Sequence, residues 1–473
     1  RMNNPHISPV NKLTYGIGSI AYGVKSNGFD YWFLIFYSQA MGVDAYLVGL
    51  ALMISLVIDS LSDPLIGYFS DNTHTRWGRR HPFMYAAAIP VSLSYFFIWN
   101  PPASLSGNEL FGYILFLAIL VRTLITIYEI PNSAMVAEMT EDYDERTSIL
   151  SYRFFFGWSG GTLMGACTSY YLLVPTNEYS HGIFNVAGYG QMGLVAALII
   201  FTAIMTSAIG THNLIPNLKP APSQRKLTIR QIYREIFETL WNRSFVALFA
   251  ATLFGAIGTG TAAGLSLYLN SFFWGFSTEQ YAAISLSVVI SAIIGLVISP
   301  IVSRKLGKKR AAIITGLLAF TILPVTIILR LLELMPENGD PILFPIILGV
   351  TIIDVGLIIT YQTITTSMIA DLVEQSEVNT GRRSEGVFFA SMTFIKKFVQ
   401  GFGVVMASTI LTIAQFPKGA SMENVPAEAI FQLGALYVPT VVTVWMIMIW
   451  CISFYQVDRD MHNANLSALG RGQ

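Results

Sequence analysis

The chain has 473 residues, of which 53% are hydrophobic and 12% charged, with 28 basic residues against 28 acidic ones. Soluble domains carry about 25% charged residues, so this composition excludes a soluble globular enzyme and describes a polytopic membrane protein. The formal net charge of zero gives no bulk attraction for nucleic acid.

Apolar runs long enough to cross a bilayer as helices fall near 13–41, 46–69, 83–100, 110–135, 151–174, 189–211, 243–273, 280–303, 311–333, 342–369, 386–415 and 429–455. The first, seventh and eleventh are long enough to imply tilt or a break. Twelve spans predict an all-α protein with both termini on one side of the membrane, and the basic residues say which side. The segments after spans two, six, eight and ten carry Arg76, Arg79 and Arg80; Lys219 to Arg234; Arg304 to Arg310; and Arg382 with Arg383. The opposite loops hold one basic residue, Lys418. By the positive-inside rule both termini are expected in the cytoplasm, in a plasma membrane or bacterial inner membrane.

Cys167 and Cys451 fall inside spans and read as apolar packing rather than a disulfide framework. The six histidines lie outside the spans or at their edges, which argues against an intramembrane histidine metal site. The first span is too long and too polar for the core of a cleaved signal peptide.

The chain reads as a duplication. Ala137-Glu138-Met139-Thr140-Glu141 is echoed by Ala370-Asp371-Leu372-Val373-Glu374, and Asp63-Pro64 by Ser299-Pro300 at nearly the same offset. The expected domains are a six-helix half over 1–212, a linker over 213–242 with an amphipathic helix along its second part, a six-helix half over 243–456 and a tail over 457–473. Two pseudo-symmetric halves with a long central loop describe the major facilitator architecture, with its substrate site between the halves.

One pattern stands out along these spans. Asp59 and Asp63 sit one helical turn apart in span two, and a charge at the bilayer centre costs roughly 2.5–3.5 kcal/mol on insertion scales. Two carboxylates on one helix face either bind a hard cation or share a proton. A buried pairing with arginine that merely holds helices together is the competing explanation. Other intramembrane charges are Lys25, Asp30, Arg122, Glu129, Arg153, Asp354 and Lys397.

Asp59-x-x-x-Asp63-Pro64-x-x-Gly67, followed by Asp71-Asn72-Thr73-x-x-Arg76-Trp77-Gly78-Arg79-Arg80, resembles the signature of the glycoside–pentoside–hexuronide:cation symporter family. Glu129-Ile130-Pro131, Asp144-Glu145-Arg146, Arg153-Phe154-Phe155, Gly381-Arg382-Arg383-x-Glu385-Gly386 and Lys397 extend the match, in order, over about 400 residues. The resemblance implies that Asp59 and Asp63 coordinate the coupling cation, Na+ or H+, with the Thr126 hydroxyl and with Ser62 at a position that is often Asn in the family. It also implies that Glu129, Arg153 and Lys397 serve substrate binding or its coupling to the ion. The basic turn Arg76, Arg79 and Arg80 is expected to pair with the acidic stretch containing Glu138 and Asp142 as a cytoplasmic gate.

Two departures matter. The sugar-holding aspartate that the family's type member carries in span one is replaced by Gly23, and a tryptophan after the span-four acid is replaced by Ser133. Span one instead offers Lys25, Asn27, Asp30 and Tyr31, which suit an anionic or less sugar-like ligand. The sequence thus predicts a secondary active symporter, not an enzyme, working by alternating access. Its solute is a glycoside, uronide or lysolipid, it needs no cofactor beyond the coupling ion, and it works as a monomer in the lipid bilayer without nucleic acid. A membrane-embedded enzyme would need a nucleophile–base pair. Gly157-Trp158-Ser159-Gly160-Gly161 fits a nucleophile elbow only in a strand–turn–helix context, which a membrane span does not supply.

Overall fold

A computed structural model describes residues 6–33, 36–41, 43, 45–174, 176–178, 185–218, 228–276, 278–381 and 425–470, with scattered positions from 388 to 416. The architecture is all-α, with no strand among the described residues. Eight of the described helices are long and apolar enough to cross a membrane.

The chain groups into two compact units, one of residues 1–240, 369–394 and 459–473, the other of 241–368 and 395–458. In the first, span one is α1 (Pro9–Ile17) and α2 (Ser19–Asn27), which continues through a wider π turn at Gly28–Trp32. The remaining long helices are α3 (Ala45–Asp71), α4 (His81–Trp99), α5 (Gly107–Ala134), α6 (Tyr143–Cys167) and α7 (Val186–Gly210), followed by the linker helix α8 (Ile229–Leu240). The second unit contains α9 (Arg243–Tyr268), α10 (Thr278–Leu306), α11 (Lys308–Leu331), most of α12 (Leu343–Thr380) and α13 (Ala427–Ile452). The end of α12 and the tail helix α14 (Arg459–Ala468) belong to the first unit. Most of the expected eleventh span lies outside the described residues.

Helices α6 and α12 extend beyond the apolar runs at 151–174 and 342–369. Apolar runs stop where charges begin, whereas the backbone hydrogen bonding of a helix does not. Asp142 starts α6 by accepting from the Glu145 amide at 2.7 Å, an N-cap that satisfies one of the free donors at the helix start.

Glycines set how closely α2 meets α6. A Cβ on Gly23 would lie 2.2 Å from the Gly157 carbonyl oxygen, and one on Gly161 would lie 2.8 Å from the Gly23 carbonyl oxygen. Small residues let membrane helices approach backbone to backbone, and here they lock span one onto span five. Pro64 and Pro131 sit inside α3 and α5. Each lacks the N–H that would have bonded the carbonyl four residues back, so each loosens its helix just after a charged residue that the sequence singles out.

Candidate ion and substrate site

Asp59 and Asp63 lie on the inward face of α3 and are 1% and 0% exposed. Thr126 of α5 donates its hydroxyl to Asp59 Oδ1 at 2.8 Å, with the Arg122 carbonyl as the alternative acceptor at 2.9 Å. The structure therefore joins Asp59 and Thr126, two of the four residues expected around the cation, and buries Asp63 one turn further along α3; all three supply hard oxygen donors of the kind that bind Na+ or a proton. The fourth, Ser62, turns its hydroxyl back on its own helix and donates to the Asp59 carbonyl at 2.9 Å. A serine within a helix readily makes this bond, and it leaves Ser62 off the carboxylates.

Arg122 stands close by. Its guanidinium is buried and lies 4.7 Å from the centre of the Phe29 ring, within the electrostatic reach of Asp59 and Asp30. A cation over an aromatic face is held by the ring quadrupole, which allows this arginine to stay buried beside the carboxylates.

A second cluster joins α5, α6 and α1. Arg153 pairs with Glu129 and donates to Ser133 Oγ at 2.6 Å, Asn132 Oδ1 at 2.8 Å and the Tyr15 hydroxyl at 3.2 Å. Tyr15 in turn donates to the Asn132 carbonyl at 2.7 Å. Four acceptors around one planar guanidinium fix its orientation, and no Lys could reproduce that fork. Glu129 uses one carboxylate oxygen for Arg153, while its other, Oε2, is buried with no hydrogen-bond partner. Sequence reasoning placed Glu129 and Arg153 together but missed Tyr15 and Asn132, neutral residues with no local signature.

The span-one candidates separate. Lys25 is buried, with its ammonium 4.3 Å from the centre of the Tyr22 ring. Asn27 packs on Gly165 of α6, where an added Cβ would lie 2.8 Å from Asn27 Nδ2, while Asp30 is exposed in the π turn. The Tyr31 side chain lies outside the described residues. Lys397 is buried in the second unit.

Charges also meet where α3 turns into α4. Arg80 bonds Glu138 Oε1 at 2.6 Å, Asp71 Oδ1 at 2.7 Å and Ser70 Oγ at 2.5 Å, and Arg79 Nε lies 3.0 Å from the same Glu138 oxygen. These residues are buried. Arg76 is instead exposed, 5.3 Å over Trp77, and Asp142 is exposed as the α6 cap. A further lock was missed. Arg146 of α6 bonds Glu374 and, at 3.0 Å, Asp371 Oδ1, both near the end of α12, and His462 of α14 lies 3.2 Å from Glu374 Oε2 while bonding the Glu141 carbonyl at 2.7 Å. The Arg146 guanidinium fills the place of a counter-ion for both acids, so the donor set Asp371, Glu374 and His462 is an ion-pair lock rather than a vacant metal site.

Long apolar helices that carry buried acids beside basic and hydroxyl partners are the equipment of a membrane carrier. The proton:xylose symporter XylE, in a solved structure, shares the fold at a TM-score of 0.59 and 13% identity, covering 92% of this chain and 95% of that one. Residues 14–459 match the MFS/sugar transport protein family, and the chain belongs to it. The sequence resemblance to glycoside–pentoside–hexuronide:cation symporters and the expected major facilitator fold are thereby borne out. Among relatives, the isoprimeverose transporter of Lactiplantibacillus pentosus is 22% identical over 95% of this chain and 88% of its own length. The sodium-dependent lysophosphatidylcholine symporter 1 of Gallus gallus is 20% identical over 99% of this chain and 90% of its own.

Proposed function

We propose that this protein is a cation-coupled symporter of a glycoside or related polar solute, with Asp59, Asp63 and Thr126 as the ion site. The observation that carries this is the pair of buried carboxylates on α3 with the Thr126 hydroxyl delivered to one of them from α5. Ion binding neutralises charge that the bilayer penalises, and so favours the state in which the solute can bind.

The solute site is proposed around Glu129 and Arg153, and Lys397 is proposed, from the sequence resemblance, to serve substrate binding or its coupling to the ion. Glu129 Oε2, buried without a hydrogen-bond partner, is an acceptor suited to a hydroxyl or an amine of the ligand. The close approach of Gly23 to the Gly157 backbone, which leaves no room for a side chain there, argues against a galactoside held from position 23. The charged turns at Arg79, Arg80 and Glu138 and at Arg146, Asp371 and Glu374 are proposed as cytoplasmic gates, with both termini on that side. The expected halves over 1–212 and 243–456 are proposed to move as the alternating bodies.

Counterflow in proteoliposomes with a panel of β-glycosides, hexuronides and lysophosphatidylcholine, with and without sodium, tests this reading. Sodium- or pH-gradient-dependent exchange of a glycoside or uronide supports it. Exchange of lysophosphatidylcholine alone replaces the substrate class, and exchange insensitive to both ions refutes the coupling.

A further inference from the structure

We propose that Asp354, in the middle of α12, is a proton-binding site in the second unit, separate from the Asp59 and Asp63 pair. Asp354 is 5% exposed, while its neighbour Ile353, on the outer face of the same helix, is 52% exposed. The carboxyl therefore points inward, and its Oδ1 is buried with no hydrogen-bond partner. Among the described residues no lysine, arginine or histidine forms an ion pair with it, and the one titratable group in electrostatic contact is Tyr437 of α13, itself 1% exposed. The contacts that α10 and α11 make along this part of α12 are between neutral groups. From α10, Ser291 donates its hydroxyl to the Ile352 carbonyl at 2.9 Å, and from α11, Phe320 packs on Tyr361, two turns further along α12.

An ionised carboxylate in this setting is largely withdrawn from solvent and has no counter-ion among the described residues, and a group so placed takes up a proton rather than remain charged. That distinguishes it from the buried acids that face a basic group or receive a donated hydroxyl. Glu129 has Arg153, Glu138 has Arg79 and Arg80, Asp371 and Glu374 have Arg146, and Asp59 has the Thr126 hydroxyl. The protonated acid is an O–H donor and can give its proton to a water molecule that reaches it, leaving a carboxylate and a hydronium ion. Intramembrane acids of this kind serve as proton relays in pumps and transporters.

Infrared difference spectroscopy of the purified protein, wild type minus Asp354→Asn at pH 7, tests this. Asn reproduces the shape and neutrality of the protonated acid, so the variant is expected to fold and to melt as the wild type does. The wild type should show one carboxylic-acid carbonyl stretch that the variant lacks, shifted by deuterium exchange and retained in Asp63→Asn. Tyr437→Phe should move that band without removing it. A difference spectrum showing only carboxylate bands means that Asp354 is ionised and overturns the proposal. So does a carbonyl band lost in Asp63→Asn but present in Asp354→Asn, which would leave the ion-site reading intact.

Discussion

Arg153 is 7% exposed and holds four acceptors, of which only Glu129 is charged. Replacing it in Arg153→Gln leaves the Glu129 carboxylate buried without its counter-ion, and breaking a buried pair from one side costs about 3–5 kcal/mol. Glu129→Gln is milder, because Arg153 keeps Ser133, Asn132 and Tyr15 as acceptors and loses one charge-assisted bond worth about 1.5–3 kcal/mol. The double variant strands no charge, so its loss should fall short of the sum of the single losses by about 0.5–3 kcal/mol, the range for contacting residues. Equilibrium unfolding of the four purified proteins in one detergent measures the cycle. Additivity within about 0.3–0.5 kcal/mol would refute the pair as an energetic unit.

Gly23→Ala should destabilise the protein by about 1–3 kcal/mol, as overpacking does, since its Cβ meets the Gly157 carbonyl; an unchanged melting temperature would contradict the helix contact. Thr126→Ala removes the hydroxyl from Asp59 and should weaken sodium binding roughly tenfold, the equivalent of about 1.4 kcal/mol, as read by sodium-dependent tryptophan fluorescence. Arg146→Gln strands Asp371 and Glu374 and should cost about 3–5 kcal/mol; pairing it with Glu374→Gln should recover part of that loss in the same unfolding assay.

How legible each feature was depends on how local its cause is. Asp59 and Asp63 were legible because an i, i+4 acidic pair in an apolar run conflicts with its surroundings over one helical turn. The absence of the family's aspartate at Gly23 was equally visible, but its reason was not, since Gly157 is far away in sequence and only the helix packing shows that no side chain fits. The Arg146 lock joins residues 225 and 228 positions apart through a guanidinium that reads locally as an ordinary charged loop residue. His462 comes from a polar tail without hydrophobic periodicity to place it. Asp142 is different, because Asp142-Tyr143-Asp144-Glu145 carries the pattern of a helix start and its capping role was there to be read. The eight strongly apolar helices followed from hydropathy and a break in span one from its length, whereas the places of that break at Gly18 and Gly28 and the charged start of α6 did not, because apolar-run counting registers neither wider turns nor charges carried within a helix.

The central claim is that Asp59 and Asp63 bind the coupling cation. Thermal unfolding of the purified protein in NaCl, against choline chloride at equal ionic strength, tests it directly when wild type is compared with Asp63→Asn. A ligand at one hundred times its Kd stabilises the folded state by about 2.7 kcal/mol, so saturating sodium should raise the wild-type melting temperature and leave Asp63→Asn unmoved. Should a proton be the coupling ion instead, the same contrast should appear on lowering the pH in choline chloride. An Asp63→Asn protein that responds to sodium and to pH as the wild type does would contradict the assignment.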